Sequence, residues 1–225
     1  MMRSNPSEAP TRRSDGEQTH AAILASAMAL ASVEGLGGLT IGRLADALGL
    51  SKSGVYAHFR SKRRLQLEVI GAAREVFTRE VIEPGLAAPE GVGQLRGLCE
   101  AFLDYIRREV FPGGCIFAGL LSEFDAQPGP LHDEVASDQG EWLGLLRQAT
   151  QRACELGEFE GDVEPEQVAF ELHAALEMAN YLYVLHHDPT VLDRARVAID
   201  AAVRRASRQP RGRNHAPGER PECPK

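Results

Sequence analysis

Leu39-Thr-Ile-Gly-Arg-Leu-Ala-Asp-Ala-Leu-Gly-Leu-Ser-Lys-Ser-Gly-Val-Tyr-Ala-His-Phe-Arg-Ser-Lys-Arg-Arg-Leu65 decides the reading of this chain. Ile41, Leu44, Ala45 and Leu48 recur at i, i+3, i+4 and i+7, the spacing of one apolar helix face. Thr40 stands before that face as its N-cap, and Gly49 can take the left-handed conformation that ends a helix. Ser51 caps a second helix, with Val55 and Phe59 at i and i+4 as its buried anchors. Helix, glycine turn and short helix make a helix-turn-helix.

The second helix has the chemistry of a major-groove reader. Lys52, Ser53 and Gly54 open it with small or basic residues, at the end that meets base edges in such motifs. Gly54 costs about 1 kcal/mol of helix propensity against alanine, a cost that close backbone approach to another surface offsets. Tyr56 and His58 can donate to phosphates. Lys52, Arg60, Lys62, Arg63 and Arg64 lie in one run without an acid. Turn, caps, anchors and charge agree, and that agreement favours a reader over a merely solvated basic face.

The stretch from Gly38 to Lys62, and the segment Tyr-x-His-Phe-x-x-Lys from Tyr56 to Lys62 above all, resembles the DNA-binding region of TetR-type transcriptional regulators. The likeness covers about residues 19 to 70. It implies that Ser53, Gly54 and Ala57 face bases, and that Thr40, Tyr56, His58 and Lys62 meet phosphates, with Lys52 beside them. It also implies a double-stranded DNA operator as partner, a second copy of the chain, and a small-molecule effector held among the middle helices.

Charge separates along the chain. Residues 1–64 hold nine Lys/Arg against five Asp/Glu, a net of +4, and the rest carries −11 of the total −7. A basic head on an acidic body suits a DNA-binding module whose remainder avoids DNA. Cys99, Cys115, Cys154 and Cys223 have no CxxC spacing and no histidine pattern, so neither a zinc site nor any other cofactor is expected. No stretch is read as long and apolar enough for a membrane span, and the N-terminus lacks the apolar core of a signal peptide, so the chain is expected in the cytoplasm.

The periodicities predict an all-α chain: a three-helix helix-turn-helix domain over 17–64, then a helical ligand-binding and dimerisation domain over 65–207. Tails over 1–16 and 208–225 are rich in Pro and Arg and read as disordered, with Arg12 and Arg13 within reach of phosphates. A first helix runs Glu17–Glu34 and stops at Gly35-Leu-Gly-Gly. A rod from Lys62 to about Ile82 ends at Pro84-Gly85. Leu95 to Ile106 form a wide apolar stripe, Cys115–Phe124 a short apolar helix, and Pro128-Gly-Pro opens a long helix. The last pair spans about Glu164–His187 and Pro189–Ser207.

The helix over 164–187 is apolar on two sides. Val168, Leu172, Ala175, Leu176 and Ala179 form one stripe, and Phe170, Ala174, Met178, Tyr181 and Leu185 another. With the small residues Ala195, Ala198, Ile199 and Ala202 of the final helix, the stripe through Leu172 is expected to form a dimer seam, the alternative being intrachain core. Effector candidates are Phe102, Phe117, Leu121, Phe124, Trp142, Met178 and Tyr181, whose character suggests a largely apolar molecule. His173 and Glu177, at i and i+4, read as a hydrogen-bonded helical pair. Cys115 follows Pro-Gly-Gly near a helix start, where a lowered pKa would make it an oxidant sensor or, with a histidine, a nucleophile, although a buried inert thiol is the favoured reading. Nothing in the sequence supplies an oxyanion hole or phosphate loop for an enzyme.

Overall fold

The computed structural model describes residues 9–207, with side chains from Gly16 onward. Among these residues stand ten α-helices, one π turn and no strand. Helix α1 (Ala9–Gly38) begins well before Glu17, so the residues just before it are helical rather than tail. The expectations for residues 1–8 and 208–225, and for the side chains of Arg12 and Arg13, lie outside the described residues. At Gly35 the backbone turns to φ 74°, ψ 167°, and Leu36–Gly38 form a separate last turn. The segment Gly16–Gly38 is, at a mean hydropathy of 1.5, long and apolar enough to cross a membrane by composition, contrary to expectation. In the fold Ile23, Ala27, Met28 and Ala31 bury one side of it in the core.

Helices α2 (Ile41–Leu48) and α3 (Lys52–Phe59) follow the expected signals. The Thr40 hydroxyl accepts from the Arg43 N–H, and Gly49 closes α2 at φ 63°. The Ser51 hydroxyl accepts from the Gly54 N–H at 3.0 Å. Val55 and Phe59 are fully buried. Helix α4 (Lys62–Phe77) starts under a Ser61 cap and runs without a break into a π turn (Thr78–Ile82) and α5 (Glu83–Leu86). The rod thus outlasts the expected stop at Pro84. That proline has no N–H for the carbonyl one turn back, and the helix passes it through a widened turn.

The body consists of α6 (Val92–Arg107), α7 (Ile116–Phe124), α8 (Pro130–Glu155), α9 (Pro165–His186) and α10 (Thr190–Ala206). One continuous apolar core runs from Ile23 in α1 to Ala206 in α10. It binds the head to the body rather than leaving two separable cores.

Two joints fix α1 against the body. The Glu123 carboxylate of α7 accepts from the backbone N–H groups of Leu36, at 2.8 Å, and Gly37. The loop before α7 comes so close to α1 that a Cβ on Gly113 would stand 1.9 Å from the Ser32 carbonyl oxygen. The Gly113 N–H donates to the Ser32 hydroxyl there.

Candidate DNA-reading surface and effector cavity

The N-caps and the buried anchors Val55 and Phe59 roll α3 so that its opposite side is bare. Lys52, Ser53, Gly54, Tyr56 and Ala57 are exposed, as is Thr40 at the start of α2. Ile41, Gly42, Lys52, Ser53, Tyr56 and Ala57 line one shallow concavity between α2 and α3. Lys52, Arg60, Lys62, Arg63 and Arg64 are all exposed around it. His58 is half-buried, its ring 5.7 Å from that of His20, which stacks on Phe59.

Lys62 has an internal role that sequence reasoning missed. Its ammonium donates to the Gly37 carbonyl at 2.7 Å. Gln66, buried beneath it, donates to the Leu36 carbonyl at 2.8 Å. The turn Leu36–Gly37 is therefore held by α4 through its carbonyls and by α7 through its N–H groups.

A second site lies inside the body. A partly open cavity of about 90 Å³ is lined by Arg74 and Phe77 of α4, Thr78 and Ile82 of the π turn, and Phe102 of α6. Cys115 and Phe117 close it from α7, Asp138, Gln139, Glu141 and Trp142 from α8, and Glu177 from α9. Phe77 is the hub of the aromatic wall, edge-on to Phe102, Phe117 and Trp142 with centroids 6.1, 5.8 and 5.3 Å away. Placing the π turn in this wall is in keeping with the frequent use of such turns at functional sites.

Of the effector candidates, the structure brings Phe102, Phe117 and Trp142 to the cavity. Leu121 and Phe124 point elsewhere in the core around α7. Met178 is 55 % exposed on the outer face of α9, and the Tyr181 hydroxyl donates to the Ala118 carbonyl at 3.1 Å. The expected apolar lining is also corrected, since five polar or charged side chains of α4, α8 and α9 join the rings. Arg74 donates through Nε to Asp138 and through Nη2 to Glu134 at 2.7 Å, so its charge is already paired with two carboxylates. The Asp138 side chain is only 7 % exposed, yet its second oxygen has no partner.

The expected His173–Glu177 hydrogen bond is not formed, His173 Nε2 and Glu177 Oε1 standing 3.9 Å apart. The Trp142 indole N–H donates to His173 Nδ1 at 3.2 Å. That leaves the ring proton on Nε2, which stands 2.7 Å from the Gln139 amide nitrogen and is accepted only with that amide turned to present its oxygen. Burial lowers the His173 pKa and favours this neutral form. Glu177 is left alone: its Oε2 is buried without a partner, and desolvation pushes its carboxyl up to about 7. Cys115 is the buried thiol that the sequence reading favours rather than the alternative oxidant sensor. It is 3 % exposed, and burial pushes its thiol up to about 12, away from the reactive thiolate.

The dimer expectation also changes. Leu172, Leu176 and Ala179 of α9 and Ala195, Ile199 and Ala202 of α10 are buried in the chain's own core, with Ala175 half-buried. A partner cannot reach them. Phe170 (65 % exposed), Met178, Tyr181 and Leu185 (71 %) form the uncovered stripe, and Val197 and Ala198 of α10 are exposed.

A capped helix-turn-helix with a basic exposed reading face, joined to a helical body enclosing a cavity, defines a helix-turn-helix regulator. Comparisons agree. Residues 23–69 match the model of bacterial regulatory proteins of the tetR family, and residues 91–199 that of the tetracyclin repressor-like C-terminal domain. The chain belongs to the TetR family of DNA-binding transcriptional regulators. A TetR transcriptional regulator from Chloroflexus aurantiacus is 26 % identical, with a TM-score of 0.79 over 85 % of this chain and 96 % of that one. A Streptomyces coelicolor TetR-family regulator shares the fold at 21 % identity and a TM-score of 0.71, over 85 % of this chain and 97 % of its own. AibR, solved with isovaleryl coenzyme A and operator DNA, shares it at 19 % identity and a TM-score of 0.64, over 84 % and 97 %. No match was found among curated protein sequences.

Proposed function

We propose that the chain is an effector-controlled repressor that binds a palindromic operator as a dimer and leaves it when a small molecule fills the body cavity. The observation that carries this reading is the double hold on the Leu36–Gly37 turn. Glu123, at the far end of a helix whose start lines the cavity, and Lys62 and Gln66, on the helix that follows the reader, grip the same peptide groups. Displacing α7 or α4 at the cavity moves the reader's support.

In this reading Ser53, Gly54 and Ala57 face base edges, while Thr40, Lys52, Tyr56, His58 and Lys62 serve phosphates. Residues 17–64 form the head and 65–207 the body. A single short reading helix covers few base pairs, so two heads engage half-sites about one helical turn apart, roughly 34–36 Å. Phe170, Ala174, Met178, Tyr181, Leu185, Val197 and Ala198 supply the dimer seam, because they are the apolar residues of α9 and α10 that the chain itself leaves bare. The effector stabilises a body conformation whose heads are wrongly spaced, and it does so only through preferring that conformation.

Selection of bound sequences from random duplexes at low salt tests the reading. Recovery of a palindrome with half-sites one turn apart supports it. Absence of any DNA affinity at low salt refutes it.

A further inference from the structure

Taking the body cavity as the effector site, as proposed above, the unsatisfied groups in it say what the effector must bring. Buried polar atoms in folded proteins are nearly always partnered, so an orphan needs a reason. Here two carboxyl oxygens, Asp138 Oδ2 and Glu177 Oε2, are buried without a hydrogen bond. Both residues line one cavity, and they reach it from different helices. Asp138 and, once a cation stands beside it, Glu177 are ionised carboxylates that accept and do not donate, so what is missing is a charged donor.

Charge points the same way. The one basic side chain in the lining, Arg74, is already engaged by Asp138 and Glu134. An anionic effector would find no free cation there and would face Asp138, Glu141 and Glu177. The rest of the wall is aromatic, with the rings of Phe102, Phe117 and Trp142 each within 6.1 Å of Phe77. Ring faces attract a desolvated cation within about 6 Å. We infer that the effector is an organic cation, an ammonium group on an apolar or aromatic body, with the ammonium between Asp138 and Glu177 and the body among the rings. An apolar molecule without the ammonium would leave both oxygens unsatisfied.

The chain's only tryptophan stands in this wall, so its fluorescence reports occupancy directly. Three probes of one shape separate the possibilities: 3-phenylpropylammonium, 3-phenylpropan-1-ol and 3-phenylpropanoate, each titrated against the full chain. The cation should bind at least tenfold more tightly than the alcohol, and the carboxylate more weakly still. Glu177→Gln should remove most of that preference for the cation over the alcohol, and Asp138→Asn should reduce it independently, both variants being checked for folding by circular dichroism. If the alcohol or the carboxylate binds best, or if Glu177→Gln leaves the cation's affinity intact, the cationic effector is wrong while the cavity stands as an effector site. If none of the three binds at millimolar concentration, both this inference and the cavity's role as an effector site fall.

Discussion

The Glu123 carboxylate receives the Leu36 N–H at 2.8 Å, across 87 residues of sequence, and so joins the short helix beside the cavity to the last turn before the reading head. A second N–H, that of Gly37, goes to the same carboxylate. Hydrogen bonds to a charged group contribute about 1.5–3 kcal/mol when buried, and less where water reaches them, as it does at Gly37. Glu123→Ala should therefore lower thermal stability by only about 1 kcal/mol, a few degrees in a chain of this size. Its larger effect should fall on coupling: the ratio of operator affinities with and without effector should shrink towards one. An unchanged ratio would remove this joint from the mechanism.

The Lys62 ammonium gives one of its three N–H groups to the Gly37 carbonyl, leaving two and its charge for a phosphate. Binding should weaken steeply with salt, because the exposed cations around α3 displace condensed counterions. Lys62→Ala should lower affinity for all DNA sequences alike and reduce the salt slope by no more than about 1. It should also loosen the Leu36–Gly37 turn, seen as faster amide exchange at Leu39. Filter binding at several salt concentrations checks the first part and hydrogen exchange the second.

Gly54 offers a contrasting test. A Cβ there would stand 3.1 Å from the Ser51 hydroxyl oxygen that caps α3, and a longer side chain would project into the reading face. Gly54→Leu should cost up to about 1 kcal/mol of stability through the strained cap. Specific binding should fall by a far larger factor than non-specific binding, measured by competition with random duplex.

These local features were legible because caps, turn and anchors lie within a few residues of one another. The cavity was not. Arg74 and Asp138 are 64 residues apart and meet only when α4 lies on α8. His173 and Glu177 were paired by helical spacing, but Trp142 and Gln139, from a helix whose register no local pattern fixes, take the imidazole instead. Both apolar stripes of α9 were visible as well. Which of them faces inward depends on where α8 and α10 pack, and period alone assigned the wrong one outward.

Stability should depend on pH through Glu177. Its folded carboxyl sits at about 7 against an ordinary 4.5, so its contribution is complete below about 4.5 and is lost as pH rises through about 7. The loss is on the order of 3 kcal/mol at most. Asp138, raised mainly by burial, works in the same direction. His173, lowered by burial, works in the opposite one, destabilising as pH falls below 6.5. Arg74 across the cavity and Cys115 on α7 keep their charge states over this window. Glu177→Gln should flatten the upper limb, raising the melting temperature at about pH 8 and leaving it unchanged near pH 5. A wild-type melting temperature constant between those values would refute the buried ionisation.

Assembly is tested by a pair of substitutions. Leu185→Asp changes a side chain that is 71 % exposed, and should give a folded monomer by sedimentation with weakened operator binding. Leu172→Asp changes one with no exposure, and should unfold the chain by placing an unpaired charge in its core. A folded monomer from the second, or a dimer from the first, would reverse the assignment of the two faces of α9.

Helix α9 shows Glu177 to the cavity on one side and Phe170, Met178 and Leu185 to the outside on another. In a pair seamed along that outer stripe, only the two copies of α9 would stand between one cavity and its twin. Occupying one cavity would then alter the other's readiness to fill, and effector titration of the pair should follow a curve with a Hill coefficient other than one. The Leu185→Asp monomer, with no twin to address, should titrate with a coefficient of one, so the steepness of the response would be a property of the seam rather than of the cavity.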